Sequence, residues 1–200
     1  MSKLTNRQKK AQITKQKILN TALELFSEKG FDHVTIDEIA SVSGTSKGAF
    51  YVHFQSKYEI FIEKFKEIDG FYTSFMETLP QDLGAHEKIL RLIESQMIFL
   101  KDSLGKELMR SVYMSGLIPN QDNYFADTDR ELYQIVHSIV KKGQASGELT
   151  SSLDSSEITM LITRTMRGTL YDWLLFDSGY DLLKESRKFT KALLEGLRGE

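Results

Sequence analysis

Between Thr45 and Lys57 the chain reads TSKGAFYVHFQSK, and its polar residues suit an anionic polymer better than a reacting substrate. Ser46 can cap a short helix beginning at Lys47, and the free amides of a helix N-terminus favour an anion. Lys47, on the first turn, can reach a phosphate or a guanine edge, and Thr45 just before it can also face a groove. Gly48 lets backbone approach closely. Tyr51 and His53 offer hydrogen bonds to phosphate oxygens, and Lys57 adds a charge at the start of the next helix. Phe50 and Phe54, spaced i, i+4, are read as packing inward. Catalysis finds no comparable constellation. His33, His53, His86 and His137 are scattered, with no second His or carboxylate at metal-ligand spacing, and the chain has no cysteine. Neither GxSxG nor a phosphate-binding glycine pattern occurs. The expectation is a protein that is not an enzyme and needs neither metal nor cofactor.

The elements that must position these groups are legible upstream. Thr35 with Glu38 reads as a capping box, and Val34 with Ile39 as a hydrophobic staple. Ile36, Ile39 and Ala40 give that helix an apolar side, and Gly44 supplies a left-handed ending. Two short helices joined by a tight glycine turn make a helix-turn-helix, whose second helix enters the DNA major groove. Thr35 and Ser46 then anchor helix N-termini on the phosphate backbone. A first helix, about Gln12 to Lys29, carries Ile18, Leu19, Ala22, Leu23, Leu25 and Phe26 at helical spacing. Gly30 ends it, and Phe31 is expected to fold back onto Phe26. Ser56 with Glu59 reads as a further capping box.

The residues Thr35, Ile36, Ile39, Ala40, Gly44, Ser46, Gly48, Tyr51, His53, Phe54 and Lys57 follow the pattern T-[IV]-x-x-I-A-x-x-x-G-x-S-x-G-x-x-Y-x-H-F-x-x-K. That pattern resembles the N-terminal signature of the tetracycline-repressor (TetR) family of bacterial regulators. ILNTALELFSEKGFDHVT resembles the family's first helix and its Gly-Phe exit. The resemblance is specific over about residues 12–62 and architectural beyond. Ser43 and Thr45 depart from it, standing where the family usually has Ala and Val.

Charge and composition agree with a two-part helical chain. Up to residue 60 there are nine Lys/Arg against six Asp/Glu, and after it 17 against 22. Lys3, Arg7, Lys9, Lys10, Lys15 and Lys17 precede any acid, a basic arm suited to phosphates. With 40% hydrophobic residues and two prolines, the fold class expected is all-α. No apolar run reaches membrane-spanning length and no hydrophobic signal region opens the chain, so the expected location is cytoplasmic. A DNA-binding head, 1–62, is expected to pass through one long helix, Ser56–Leu79, into a second helical unit, 63–200. Further helices are expected at about His86–Ser103, Lys106–Ser115, Asp122–Gly143, Ser155–Asp177 and Tyr180–Leu197.

Aromatic residues and methionines crowd the second unit, as they do in cores and in ligand cavities alike. Since TetR-like proteins commonly bind small effectors there, the resemblance implies a pocket. Phe65, Phe71, Met97, Tyr113 and Phe125 are candidates for its apolar lining. Gln96, Arg110, His137, Arg164 and Arg167 are candidates for its polar groups. The last two helices are apolar on more than one side, and the family analogy makes them a four-helix dimer interface through Leu161, Thr165, Thr169, Trp173, Phe189 and Leu193. The leading reading is a homodimeric repressor, bound to a pseudo-palindromic operator of double-stranded DNA and released by a small apolar or amphipathic effector. Its competitors are a DNA-bound helical protein that holds a protein partner and senses no ligand, and a helical scaffold with a decayed head.

Overall fold

Thr5 starts the first helix earlier than the apolar stripe required. Its hydroxyl accepts the Gln8 amide at 3.3 Å, and the Gln8 side chain accepts the Thr5 amide at 2.8 Å, a reciprocal box that extends α1 over Asn6–Lys29. In this computed structural model the described residues are 5–117, 125–176 and 178–199. Arg7, Lys9, Lys10, Lys15 and Lys17 therefore stand on a helix rather than an arm, while Lys3 lies outside the described residues. The capping box was the missed signal.

The described chain divides into two units, Met1–Phe65 and Lys66–Glu200. In the first, a single 3-10 turn, Phe31–His33, separates α1 from α2 (Ile36–Val42), and α3 (Lys47–His53) and α4 (Lys57–Phe65) follow. Ile18, Ala22, Val34, Ile39, Phe50 and Ile60 are wholly buried, so each helix contributes to one small core. Gly30, at φ +82°, turns the chain so that Phe31 meets Phe26 at 5.0 Å between ring centroids; Phe61 sits at the same distance from both.

The second unit contains α5 (Glu67–Thr78), α6 (Ala85–Phe99), a π-helical turn (Leu100–Leu104), α7 (Gly105–Ser115), α8 (Glu131–Ala145), α9 (Ser155–Leu175) and α10 (Leu182–Gly196). The described residues hold no strand, only an isolated antiparallel bridge between Leu149 and Arg198. α10 packs on α6 and α9, and α8 packs on both α6 and α9. Gly143 allows the α6–α8 approach, because a Cβ there would lie 2.6 Å from the Ala85 Cβ.

Two helix expectations are corrected. The run Ser56–Leu79 is not one helix, since it breaks at Lys66. The Asp69 amide bonds the Lys66 carbonyl, three residues back, at 3.2 Å, and this local tightening leaves the apolar spacing unchanged and hence invisible in it. Of the helix expected from Asp122, residues 122–124 lie outside the described residues, and Phe125–Arg130 is turn rather than helix. α8 begins only after Arg130, whose buried guanidinium grips the Asp69 carboxylate at 2.9 Å. A tertiary ion pair thus sets that helix start.

α6 has no side-chain cap of its own at Gly84. Glu148 supplies one from the α8–α9 loop, accepting the amides of Ala85 at 2.6 Å and His86 at 2.8 Å. His86 completes the clip, with Nδ1 3.0 Å from Glu148 Oε1 and Nε2 3.1 Å from the Leu194 carbonyl. Burial alone would raise the Glu148 carboxyl, but the two amides and the imidazole outweigh it and hold it below its ordinary value of 4.5. A depressed carboxylate stabilises the fold fully above its ordinary value, and that contribution fades as pH falls through the depressed one. The Glu148→Gln variant should therefore be less stable at neutral pH and show a shallower loss of thermal midpoint on acidification, measured by circular dichroism.

Candidate DNA-binding surface and effector unit

The geometry of the head starts at two caps. The Glu38 amide donates to Thr35 Oγ1 at 3.1 Å, and the Ala49 amide donates to Ser46 Oγ at 3.0 Å, so α2 and α3 each begin at the expected residue. The reciprocal half of the Thr35 box is absent, because the Glu38 carboxylate pairs instead with Lys29 on α1 and is held below its ordinary range by that hydrogen bond. Likewise Glu59 receives the amide of Gln55. Gly44 has φ +60°, the left-handed conformation that the turn requires.

Ser43 and Thr45, the two departures from the family pattern, form one unit. Ser43 Oγ, fully buried, donates to the Ala40 carbonyl at 3.2 Å and lies 2.9 Å from Thr45 Oγ1. A serine hydroxyl has one proton, so with that proton on Ala40 it accepts from Thr45. Together with the Thr45 amide, which bonds the same Ala40 carbonyl at 2.9 Å, these contacts tie the turn to α2. The Thr45 hydroxyl is therefore directed inward.

On α3, Gly48, Tyr51 and Val52 are exposed and His53 is half-buried, whereas Phe50 and Phe54 are buried. Lys47 is exposed and bonded at 2.9 Å to Asp37 of α2, whose carboxylate raises the lysine above its ordinary value. This pairing draws the ammonium towards the α2 side of the recognition helix. Lys57 has an internal task that the sequence did not reveal. Its ammonium donates to the carbonyls of Phe31 at 2.8 Å and Val34 at 2.6 Å, and stands 4.4 Å from the Phe31 ring. It braces the turn between α1 and α2.

The effector candidates do not form one cluster. Tyr113, Phe125 and Arg167 do converge: Tyr113 and Phe125 rings lie 4.9 Å apart, Tyr113 donates to the Arg167 carbonyl at 3.1 Å, and Arg167 donates to the Phe125 carbonyl at 3.2 Å. Tyr133, unpredicted, joins them by donating to the same Phe125 carbonyl at 2.7 Å. Burial pushes the Tyr113 phenol well up, against the opposing charge of Arg167. Phe71 belongs elsewhere, stacked at 4.6 Å on Phe99. Arg110 bonds Glu107 and the Leu174 carbonyl, at the C-terminal end of α9. His137 bonds Ser155 at the opposite end of that helix, at 2.8 Å. Arg164 is exposed, Met97 is wholly buried, and Phe65 closes α4 in the first unit. A cavity of about 600 Å³ opens between the α5–α6 loop and α8, beside Leu79, Lys88 and Ile139, and none of the sequence candidates lines it. Hydrophobic spacing marks buried faces, not where a face stops short of its neighbour.

Of the interface candidates, Thr169 and Trp173 turn into their own unit, at 4% and 9% exposure, and are withdrawn. Thr169 instead bonds the Thr165 carbonyl one turn back at 2.8 Å. Leu161, Thr165 and Leu193 are half-buried and Phe189 is 56% exposed. Tyr171 and Leu175, not foreseen, are exposed on α9.

The family model for bacterial regulatory proteins of the tetR family matches residues 18–63, and the model for the C-terminal region of YsiA-like proteins matches residues 54–196. The chain belongs to the TetR family. It is thus a DNA-binding transcriptional regulator, and the head just described is its DNA-reading unit. Among similar proteins, the fatty acid metabolism regulator protein of Bacillus subtilis is 24% identical over 187 residues, covering 92% of this chain and 95% of that one. The regulator AcrR of Shigella flexneri is 25% identical over 195 residues, covering 92% and 89%. Among solved structures, Bacillus subtilis FadR in complex with stearoyl-CoA has a TM-score of 0.71 at 25% identity, covering 92% of this chain and 99% of that one. Thermus thermophilus FadR in complex with lauroyl-CoA shares the fold with a TM-score of 0.76 at 21% identity, covering 93% and 96%. No described helix is long and apolar enough to cross a membrane.

For this TetR regulator, Gly48 provides a test of the reading surface. A Cβ at that position meets only Ser46 Oγ, at 3.7 Å, so nothing inside the head requires a glycine there. Gly48→Ala should stabilise α3 by about 0.5–1 kcal/mol through helix propensity. If the glycine serves close approach to the DNA backbone, the same variant should bind every DNA sequence more weakly in fluorescence anisotropy. Undiminished DNA affinity would remove Gly48 from the contact surface.

Proposed function

We propose that this protein is a cytoplasmic homodimeric repressor whose effector is a long-chain acyl-CoA thioester. The observation that carries the proposal is the likeness to Bacillus subtilis FadR in complex with stearoyl-CoA, at 25% identity over 92% of this chain. The Bacillus subtilis fatty acid metabolism regulator, similar over 92% of this chain, points the same way. The interior of the unit is apolar, with Ile89, Leu92, Met97, Met109, Val136 and Ile162 wholly buried, and methionine repacks readily around a flexible guest. The reading of a DNA-bound protein that holds a protein partner and senses no ligand is not favoured by these relatives.

In this proposal the DNA contacts are Lys47, Gly48, Tyr51 and His53, with the α2 and α3 N-termini at Thr35 and Ser46 set on phosphates. Thr45 presents its methyl and backbone to the groove, its hydroxyl being directed to Ser43. Lys57 serves chiefly to hold the head together. The dimer face is the stripe of half-buried Leu161 and Thr165 and exposed Gly168, Tyr171 and Leu175 on α9, with exposed Phe189 and half-buried Leu193 on α10. A Cβ at Gly168 meets nothing within 4 Å, leaving room for a second helix to come close.

Two measurements test this. Phe189→Glu places a charge on the stripe, and should yield helical monomers in sedimentation with much weaker operator binding, because linked heads gain from effective concentration. A variant that sediments as a dimer would move the interface elsewhere. The effector reading predicts that hexadecanoyl-CoA releases the operator, and linkage requires operator DNA to weaken effector binding by the same factor, typically about 5–150-fold. Equal effector affinity for free and DNA-bound protein in calorimetry would end the repressor-release scheme.

A further inference from the structure

The buried face of α6 repeats at helical spacing as Ile89, Leu92, Ile93, Gln96, Met97 and Leu100, and one of these does not belong by chemistry. Gln96 is 4% exposed. Its side chain makes one hydrogen bond, Nε2 donating at 2.6 Å to the hydroxyl of Tyr72 on α5, itself wholly buried. Gln96 Oε1 is buried with no partner at all. A primary amide has two donor protons and a carbonyl acceptor. Tyr72 engages one of these groups, so a donor proton and an acceptor remain free inside an apolar face. Turning the amide over exchanges its ends but still leaves Nε2 a proton that Tyr72 does not take. Buried polar groups in native interiors nearly always have a partner, so this one calls for an explanation.

Two features of the second unit favour a ligand as the explanation. One turn further along, the Leu100 amide bonds the Gln96 and Met97 carbonyls and opens the π-helical turn Leu100–Leu104, a distortion that recurs at functional sites. Met97 and Met109, both wholly buried, are side chains that can make way for a guest.

We propose that Gln96 is the interior polar anchor of the effector site: its amide donates to the carbonyl oxygen where an apolar chain joins its polar head, and Tyr72 positions it. This rests on the acyl-thioester reading above and deepens it. The free Nε2 proton matches the thioester carbonyl, and the orphan Oε1 matches an amide N–H two methylenes beyond the sulfur, as the coenzyme A arm provides. No other residue need recognise the junction; the rest of the chain is bound by apolar contact.

The experiment compares hexadecanoyl-CoA with its thioether analogue S-hexadecyl-CoA, which lacks the carbonyl, by titration calorimetry. Wild type should bind the thioester about tenfold more tightly, the scale of one well-made buried hydrogen bond. Gln96→Met, close in volume, should bind both alike, near the thioether's wild-type affinity. Its ligand-free thermal midpoint should rise or hold, since an unpaired buried carbonyl has gone. Tyr72→Phe, which frees the amide to rotate, should lose part of the discrimination and serves if Gln96→Met does not fold. Retained discrimination in Gln96→Met, or a midpoint lowered by several degrees with discrimination intact, would show a structural polar pair and overturn the anchor. Wild type binding both ligands equally overturns the anchor alone. Wild type binding neither overturns the acyl-thioester reading, and the anchor with it.

Discussion

The turn between α2 and α3 is the constraint on which the reading surface depends. Its Ala40 carbonyl accepts both the Thr45 amide and the Ser43 hydroxyl, and Gly44 takes the left-handed conformation between them. These few bonds set where Ser46 caps α3, and that cap sets which α3 side chains face outward. A recognition helix of only seven residues cannot hold its own orientation, since an isolated helix of that length is unstable in water. Its direction is imposed by Phe50 and Phe54 in the core and by the turn. The Ser43–Thr45 hydroxyl pair achieves with hydrogen bonds what an apolar pair would achieve by packing, and in doing so it withdraws one donor from the surface that meets DNA.

In the second unit the comparable role falls to charges acting across sequence. Glu148 caps α6 from a loop, Arg130 holds Asp69, and His86 reaches the last turn of α10. Glu148 closes the α6 N-terminus and His86 takes a carbonyl in the last turn of α10, helix ends that local sequence leaves open, while the Arg130–Asp69 pair ties the start of α8 to α5. Such clips fasten helix ends while leaving the middle of the unit to apolar side chains, an arrangement that suits a site required to admit a guest.

The two units are held by different means. The groups that face DNA sit on backbone fixed by caps and one left-handed glycine. The interior of the effector unit is fixed only by volume and by a small number of polar groups, Gln96, Tyr72 and the Tyr113–Tyr133–Arg167 cluster among them.

What the sequence determined by itself was everything carried by local rules. Thr35, Gly44 and Ser46 marked the helix-turn-helix because caps and left-handed turns need particular residues at particular offsets. The apolar stripe of α1, the Phe31–Phe26 contact and the all-helical class followed from spacing. The tertiary structure decided the rest. The break at Lys66, the late start of α8, the internal use of Lys57 and the inward turn of Thr169 and Trp173 all depend on partners distant in sequence or on small backbone changes. The candidate pocket residues scattered for the same reason, since periodicity records that a face is buried but not against what. Gln96 carried the same ambiguity in the sequence, and only the partner count of its two amide atoms, fixed by Tyr72 on another helix, set it apart.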